Sequence, residues 1–226
     1  MCEAGWMRIG VLGGTGPAGQ GVALRLAALG HDVILGSRDR DRAEGIVGEL
    51  LARWGDRVQT LEPGTNPQAA DADVVVIATM ADAAVPTAHY LADKLHGKVV
   101  ISMANGLVKQ GREFRAVLPD EGSIAEAIQV AAPGAKVVAA LQHVPAAALG
   151  DLDRRLESDV FVAGDDDDAR TTVLDLIDSI PGLRAFDAGS LANAHGIEAV
   201  AAPLLTINLR HKGEATLHIT GAGERR

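Results

Sequence analysis

The sequence predicts an α/β fold in which helices cover both faces of one doubly wound, mostly parallel sheet. Segments with the pattern of buried strands alternate with segments of helical spacing, an order typical of parallel sheets. The 226 residues are 47% hydrophobic but only 3% aromatic, so the core must consist mainly of aliphatic side chains. A glycine-rich turn between the first strand and the first helix completes this pattern.

Eight short apolar segments are predicted to be the strands. The clearest of them contains Val74–Ile77, where four branched aliphatic residues follow one another. The predicted strands are residues 8–12, 33–35, 57–61, 73–78, 98–102, 136–141, 159–163 and 184–187.

Helices are predicted where apolar residues recur with helical spacing between these strands. Gly30 should end the first helix, and Asp39 should cap the second. Pro86 should fall in the first turn of the third helix, and Pro203 should kink or break the last one. Residues 111–122 are expected to form an irregular excursion. The predicted helices are residues 17–29, 39–54, 83–95, 123–131, 167–180 and 190–210.

Two parts of unequal size are expected after a short lead-in. Residues 7–138 should form a nucleotide-binding domain, and residues 139–226 a smaller C-terminal lobe of helical and mixed structure. Residues 1–6 are expected to lie outside the fold and contain the single cysteine, Cys2, which excludes an intramolecular disulfide. We find no signal-peptide pattern and no apolar run near the roughly 18–20 residues of a membrane span, so we expect a cytoplasmic protein.

The charge balance limits the partners. The chain has 30 acidic and 21 basic side chains, which gives a formal net charge of -9. Nucleic acid is not expected as a partner, because binding to its phosphates requires a basic face. Small anionic ligands need only a local cluster of positive charge, and residues 38–42 contain one.

The turn Gly14-Thr15-Gly16-Pro17-Ala18-Gly19 matches the G-x-G-x-x-G pattern of Rossmann-type dinucleotide sites. The pattern alone is weak, but here it follows a predicted strand and opens a predicted helix. Gly14 would make the tight turn, Gly16 would let the backbone approach a pyrophosphate, and Gly19 would let the helix pack closely. Pro17 is compatible with the first helical position. The alternative is a glycine-rich turn in an α/β domain without a nucleotide.

The end of the second strand favours NADP(H) over NAD(H). Sites for NAD usually have a carboxylate there, whereas this chain reads Gly36-Ser37-Arg38. Arg38, Arg40 and Arg42 follow one another closely, and spacing on the next helix would place Arg38 and Arg42 on one face. Guanidinium groups can hold a 2′-phosphate by paired hydrogen bonds, and Ser37 adds a hydroxyl. Alternatively, Arg40 and Arg42 belong to a solvated helix face.

Several segments resemble one family of enzymes. IGVLGGTG at residues 9–16, LRL at 24–26 and GHDVILGSR at 30–38 resemble the NADPH-dependent reductases of coenzyme F420, a deazaflavin. AALQHVPA at residues 139–146, GDDDD at 164–168, PGLR at 181–184 and DAGSL at 187–191 resemble the same family and make the match specific. The resemblance covers nearly the whole chain from Met7.

The resemblance implies direct hydride transfer between the nicotinamide of NADP(H) and the deazaflavin of F420. Such chemistry depends on positioning two rings face to face rather than on acid–base side chains. The C-terminal part would then shape the deazaflavin pocket, and no catalytic residue is assigned beyond the hydride-site neighbours Gln142 and His143. The implied NADP contacts are Gly14, Thr15, Gly16, Pro17, Ala18, Ser37, Arg38 and Arg42, with Thr79, Met80, Ala81, Val85, Asn105 and Ala146 around the nicotinamide.

The chain departs from the family's pattern at the acceptor half of the site. Many relatives have histidine where this chain has Gln142, and the imidazole here is His143, one place along the chain. His143 is as compatible with a structural role as with a place in the site. Met80 lies in a turn that contains Pro and Trp in some relatives. The alternatives to F420 reduction are an NADP enzyme that reduces an imine, a flavin or a metal complex, and a non-catalytic redox sensor.

Two further features complete the expectations. The four consecutive aspartates at residues 165–168 suggest a metal site, but we interpret them as a solvated turn that caps the next helix, and we expect no metal. The apolar residues 200–209 offer a surface for a homodimer.

Overall fold

The computed structural model describes residues 6–223. Within that range the chain forms ten strands, and eight of them make one sheet. The strands are β1 (Arg8–Leu12), β2 (Asp32–Ser37), β3 (Leu61–Thr65), β4 (Val74–Ile77), β5 (Val99–Ser102), β6 (Leu107–Gln110), β7 (Glu113–Ala116), β8 (Lys136–Ala139), β9 (Ser158–Gly164) and β10 (Leu183–Asp187). The predicted lead-in lies outside the described residues except for Trp6, which is exposed.

The main sheet has the order β10-β9-β8-β5-β4-β1-β2-β3. Every neighbouring pair is parallel except β8 with β9, which is antiparallel. The strand order reverses direction next to β1, so the crevice outside the carboxyl ends of β1 and β4 is a topological switch point. The predicted fold class, a doubly wound and mostly parallel sheet, is confirmed.

Helices cover both faces of this sheet. In the part of the chain that is described, they are α1 (Pro17–Ala28), α2 (Arg40–Trp54), α3 (Asn66–Ala69), α4 (Ala81–Tyr90), α5 (Ala92–Leu95), α6 (Ile124–Ala131), α7 (Ala146–Leu149), α8 (Asp167–Asp178) and α9 (Ala194–His211). None of these helices is long and apolar enough to cross a membrane.

The core has two layers because alternate strand residues face opposite sides of the sheet. Ile9 and Val11 of β1 pack with α1, α2, α7 and α8 on one face. Leu12 of β1, with Val75 and Ile77 of β4, packs with α4 and α6 on the other face. Strands buried on both faces explain the continuous aliphatic runs in the sequence.

The third strand was predicted at residues 57–61, and this prediction is wrong. A short 3₁₀ turn, Gly55–Val58, occupies the first two positions of that segment, and the strand is Leu61–Thr65. Its sequence includes Pro63 and Gly64, which are rare inside strands. They are tolerated because β3 is the edge strand, where one side of the backbone has no ladder partner.

Three other local predictions differ from the structure. Pro86 lies inside α4 rather than in its first turn, because that helix begins at Ala81. Pro203 lies inside α9 without ending it, so of the predicted kink or break the break is absent. The irregular excursion is in part a β-hairpin, in which β6 pairs with β7, and β7 packs against α9.

The C-terminal lobe is continuous with the main sheet. A boundary after residue 138 falls inside β8. The residues beyond it add β9 and β10 to the sheet and supply α7, α8 and α9. The division into two functional parts remains a prediction.

Glu198 connects α9 to the start of α6. Its side chain is 1% exposed, and its two oxygens accept hydrogen bonds from the backbone N–H groups of Ile124 (2.9 Å) and Ala125 (3.0 Å). These N–H groups have no partner within α6, because they lie in its first turn. Burial raises the pKa of Glu198 to about 7.

We expect the stabilising contribution of Glu198 to depend on pH. Because the folded-state pKa lies above the ordinary value of 4.5, the folded protein holds a proton between these values that the unfolded chain has released. The contribution is therefore fully present below pH 4.5 and is lost as the pH rises through about 7. We compare the free energy of unfolding of the wild type with that of Glu198→Gln. The wild-type value minus the variant value should decrease as the pH is raised from 5 to 8, by at most about 1.4 kcal/mol per pH unit.

Urea unfolding at pH 5 and pH 8 measures this difference. The exposed Glu62 is the matched control, and Glu62→Gln should give the same difference from wild type at both pH values. A difference between wild type and Glu198→Gln that is also constant with pH would contradict the expectation.

Candidate nucleotide and redox site

The turn after β1 is held by hydrogen bonds from two sides. The N–H of Gly13 donates to Oδ1 of Asn66 (3.1 Å), at the start of α3, and the N–H of Gly14 donates to the carbonyl of Gly36 in β2 (2.9 Å). Gly13 has a φ of 69°, which a side chain would disfavour. The turn is therefore fixed relative to the end of β2 before any ligand binds.

The three glycines of the motif have different surroundings. A Cβ on Gly19 would lie 2.7 Å from the Cα of Gly14, so the helix packs against the turn at backbone distance. A Cβ on Gly16 would meet only the carbonyl of Gly13, at 3.8 Å, so this position faces open space. Gly16 is the N-cap of α1, which begins at Pro17 and has no side-chain cap. A helix N-terminus without a cap next to open space suits a phosphate. Thr15 and Ala18 flank Gly16 in this turn.

The end of β2 presents two arginines without partners. Ser37 is buried, whereas Arg38 and Arg42 are exposed. Arg40 donates to Glu44 (2.8 Å). Within residues 6–223 the side chains of Arg38 and Arg42 make no ion pair and no hydrogen bond. Arg40 is therefore the arginine that belongs to the solvated helix face, and Arg38 and Arg42 remain available to an anion.

The spacing argument for Arg38 and Arg42 needs a correction. The helix α2 begins at Arg40, and Asp39 caps it by accepting hydrogen bonds from the N–H groups of Asp41 and Arg42. Arg38 therefore precedes the helix, and helical spacing does not place it on the same face as Arg42. The two residues flank the N-cap at the end of β2.

The described residues include six buried side-chain nitrogen or oxygen atoms without a hydrogen-bond partner. Five of them belong to residues that end or follow β4, β5 and β8, which are neighbours in the sheet. Buried polar groups are normally paired, so such a cluster indicates a site completed by a ligand. These five atoms are Thr79 Oγ1, Ser102 Oγ, Asn105 Oδ1, Gln142 Oε1 and His143 Nδ1.

Hydrogen bonds to backbone carbonyls orient the two amide side chains of this cluster. Asn105 donates through Nδ2 to the carbonyl of Gln142 (2.7 Å), and Gln142 donates through Nε2 to the carbonyl of Ser102 (2.8 Å). A carbonyl can only accept, so the NH₂ group of each amide must face it. The side-chain oxygens Oδ1 and Oε1 therefore remain as unpaired acceptors.

The protein forms a hydrogen bond with one of the two ring nitrogens of His143. This residue is 5% exposed, and its Nε2 lies 2.8 Å from the carbonyl of Asp159, so Nε2 carries the proton in the neutral ring. The ring also lies 5.5 Å from that of Phe161. Burial lowers the pKa of His143, which keeps the imidazole neutral. This arrangement gives His143 a structural bond through Nε2 and leaves Nδ1 as an acceptor.

The backbone before Gln142 is in an unusual conformation. Leu141 is buried and has a φ of 71°, a left-handed value that is uncommon for residues other than glycine. Such conformations persist only where the surroundings hold them, and they often occur at functional sites. Here the turn brings Gln142 and His143 from the end of β8 toward the end of β5.

The remaining residues implied by the resemblance follow the carboxyl ends of β4 and β8. Met80 is 79% exposed and precedes α4, which begins at Ala81. Val85 lies in α4 and is partly buried against the core. Ala146 is the first residue of α7.

One buried arginine fixes α7 against α1. Arg25 is 6% exposed and donates to the carbonyls of Leu149 (3.0 Å) and Ala148 (2.8 Å) at the end of α7. It also donates to the carbonyls of Asp151 and Arg154. The carbonyls at a helix end have no partner in the helix, so one guanidinium satisfies a whole set of them.

The helices α1 and α7 also cross at very short distance. A Cβ on Gly21 would lie 2.6 Å from the Cβ of Leu149, so only glycine fits there. The position of Ala146 is therefore set by the helix whose N-terminus follows the glycine turn.

Three of the four aspartate side chains at residues 165–168 have structural partners. Asp166 caps α8 by accepting the N–H of Ala169 (2.8 Å), as predicted. Asp165 accepts the N–H of Leu191 (2.9 Å), and Asp167 pairs with Arg170 (2.7 Å). Across residues 6–223 no group of three or more His, Cys, Asp or Glu side chains is arranged to hold a metal.

The sequence did not single out Asn66 or Arg25, and it assigned no contact to Ser102, the polar residue that ends a predicted apolar strand. Asn66 and Arg25 carry no such local signal, since their partners lie at least 53 positions away along the chain.

Comparisons with known proteins identify the family that this chain resembles. A family model described as "NADP oxidoreductase coenzyme F420-dependent" matches residues 8–106. The chain is 35% identical over 215 residues to the F420-dependent NADP reductase of Methanocaldococcus jannaschii, and the alignment covers 93% of this chain and 96% of that protein. It is 35% identical over 224 residues to the F420-dependent NADP reductase of Methanothermobacter thermautotrophicus, with 96% and 97% covered.

A solved structure from Arthrobacter is similar as well. It carries a provisional description as an F420-dependent NADP reductase. The TM-score is 0.77 at 29% identity, with 92% of this chain and 96% of that chain covered.

Proposed function

The chain belongs to the family of coenzyme F420-dependent NADP oxidoreductases, and from this premise we propose that it transfers a hydride between NADP(H) and the deazaflavin coenzyme F420. The observation that carries the proposal is the cluster of buried, unpaired polar atoms beside the glycine turn. The turn and the cluster lie at the carboxyl ends of β1, β4, β5 and β8, which are consecutive in the sheet. A dinucleotide that spans these strand ends would contact both.

The residues present fit NADP(H). The N-terminus of α1 and the open side of Gly16 suit the pyrophosphate. Arg38 and Arg42 have free guanidinium groups for a 2′-phosphate, and Ser37 adds a hydroxyl next to them. The set that we propose for this half of the nucleotide is Gly14, Thr15, Gly16, Pro17, Ala18, Ser37, Arg38 and Arg42.

The nicotinamide would lie over the strand ends that carry the unpaired polar atoms. We place Thr79 and Asn105 beside it because their side chains have buried oxygens without partners. Met80, Ala81 and Val85 would border it from the start of α4, and Ala146 would lie near its carboxamide.

The two coenzymes supply the redox chemistry when they are bound, as hydride donor and hydride acceptor. The protein's task is then to bind the two rings in contact and to exclude water. Asn105, Gln142 and the neutral His143 can orient ring substituents through hydrogen bonds. No side chain of the cluster has to act as a nucleophile, which agrees with the amides and hydroxyls found there.

Stopped-flow absorbance of the purified protein tests the proposed reaction. We expect the absorbance of oxidised F420 to bleach when NADPH is added, at a rate that depends on the protein concentration. An imine, a free flavin and a ferric complex, each at equal NADPH, are the comparison acceptors. Reduction of one of these without bleaching of F420 would overturn the assignment. Binding of NADPH without reduction of any acceptor would indicate a redox sensor.

We also propose that the protein is a cytoplasmic homodimer that does not bind nucleic acid. The helix α9 carries Leu205, Ile207 and Leu209 with 36%, 44% and 36% exposure, which gives a second copy an apolar face. The net charge of -9 disfavours nucleic acid. Sedimentation equilibrium should give twice the mass of the chain, and Ile207→Lys should lower it; a monomeric wild type would contradict the proposal.

A further inference from the structure

The side chain of Gln142 has one end fixed and one end free. Nε2 donates to the carbonyl of Ser102 at 2.8 Å. This carbonyl also accepts the N–H of Ala140 at 3.1 Å, so it belongs to the frame of the sheet. Rotating the amide by 180° would place two oxygens against each other, so the orientation of Gln142 is determined.

The free end is a buried acceptor. Gln142 is 6% exposed, and its Oε1 has no partner among residues 6–223. A buried carbonyl without a donor costs free energy that a bound N–H group would restore. The neighbouring polar atoms without partners include two further acceptors, Asn105 Oδ1 and His143 Nδ1. The two hydroxyls of the cluster, Thr79 Oγ1 and Ser102 Oγ, can donate as well as accept, so the preference for a donor over a carboxylate comes from Oε1 of Gln142 and these two acceptors.

The backbone around Gln142 is also held in place. Its own carbonyl accepts Nδ2 of Asn105 at 2.7 Å, and Leu141 before it has a φ of 71°. The acceptor is therefore preorganised rather than recruited by a flexible side chain.

We propose that Oε1 of Gln142 accepts a hydrogen bond from an amide-type N–H of the bound redox ring and selects coenzymes that carry this donor. The proposal rests on the proposed function. Two groups in the reaction have this chemistry: the carboxamide of the nicotinamide and the ring N–H of the deazaflavin's pyrimidine part. Because an amide side chain does not titrate, Gln142 itself adds no pH dependence to this contact.

Calorimetric titration with two nucleotides tests the nicotinamide arm without any turnover. Nicotinic acid adenine dinucleotide phosphate differs from NADP⁺ only in a carboxylate that replaces the carboxamide, so it lacks the donor. We expect the wild-type protein to bind NADP⁺ about 100-fold more tightly than this analogue. In Gln142→Leu the ratio should fall below about tenfold, through weaker binding of NADP⁺.

A fluorescence titration with oxidised F420 tests the deazaflavin arm. If the ratio of the two nucleotides is unchanged in Gln142→Leu but F420 binds about tenfold more weakly, the donor is the ring N–H of the deazaflavin. If neither affinity changes, the proposal is wrong. Loss of the nucleotide discrimination in Asn105→Leu, with neither affinity changed in Gln142→Leu, would assign the contact to Asn105 instead.

Gln129 provides the matched control. Its amide is used at both ends inside the protein, since Nε2 donates to Ala135 (2.9 Å) and Oε1 accepts from Val137 (3.2 Å). Gln129→Leu should lower the thermal midpoint without changing the ratio of the two nucleotide affinities or the affinity for F420. Gln142→Met, which keeps the side-chain volume, replaces Gln142→Leu if the latter does not fold.

The two proposals can fail separately. If F420 does not bleach with NADPH but Gln142→Leu loses the discrimination between the two nucleotides, the acceptor assignment fails and the role of Gln142 stands. If F420 bleaches and the discrimination is the same in Gln142→Leu and wild type for all ligands, only the role of Gln142 fails.

Discussion

Replacement of both Arg38 and Arg42 by alanine should raise the KM for NADPH by about 100-fold, while the KM for NADH changes by less than about threefold. Both guanidinium groups are exposed and without partners in the described part of the chain, so their removal breaks no internal bond. Only NADPH carries the 2′-phosphate that they would bind. Steady-state kinetics with each nucleotide at saturating F420 measure the two constants.

Arg40→Ala is the control for this double variant. Arg40 lies between the two residues but is paired with Glu44, so its loss should change the KM for NADPH by less than about threefold. Equal increases of KM for NADPH and NADH in Arg38→Ala/Arg42→Ala would show that these arginines do not bind the 2′-phosphate. Unchanged thermal midpoints would exclude a folding defect.

Arg25→Met should lower the free energy of unfolding by about 3 kcal/mol or more. Methionine keeps the apolar stem of the arginine but removes all its donors. The buried carbonyl of Leu149 then loses its donor, and the carbonyl of Ala148 keeps only backbone donors from the turn that follows α7. Urea unfolding followed by far-ultraviolet circular dichroism measures the change. The affinity for NADP⁺ should also fall, because α7 places Ala146 beside the proposed nicotinamide position.

Arg57→Met separates the effect of burial from the loss of an arginine. Arg57 also donates to a backbone carbonyl, that of Leu152, and pairs with Asp153, but its side chain is 48% exposed. Its loss should cost less than about 1 kcal/mol. Equal decreases in the free energy of unfolding for Arg25→Met and Arg57→Met would contradict the prediction that the buried guanidinium of Arg25 stabilises the fold more than the exposed one of Arg57.

The elements with a strong local pattern could be predicted from the sequence. The aliphatic strand Val74–Ile77 and the cap of α2 by Asp39 are found where the residues indicate them. The strand β3 could not be predicted, because Pro63 and Gly64 are accepted only at the sheet edge, and the edge is a property of the strand order. The helices α3 and α7 have four residues each, too few to show a period.

Part of the candidate site could likewise be predicted from the sequence, and part of it could not. The glycine turn is one contiguous motif, so the sequence predicts it and its ligand class together. The cluster of unpaired acceptors depends on three strands that are neighbours in space but distant in sequence, and Ser102 joins it only through that order. The orientation of Gln142 follows from its contact with the carbonyl of Ser102, which no spacing in the sequence indicates.

The continuous sheet restricts how the enzyme can move during turnover. β8 pairs with β5 on one side and with β9 on the other, so the backbone ladder runs from the proposed nucleotide half into the C-terminal lobe. A hinge between the two halves would have to break this ladder, and the tight crossing of α1 and α7 would oppose it. We therefore expect no large opening and closing of domains in each catalytic cycle. Shielding of the hydride from solvent would then come from the stacked coenzymes themselves.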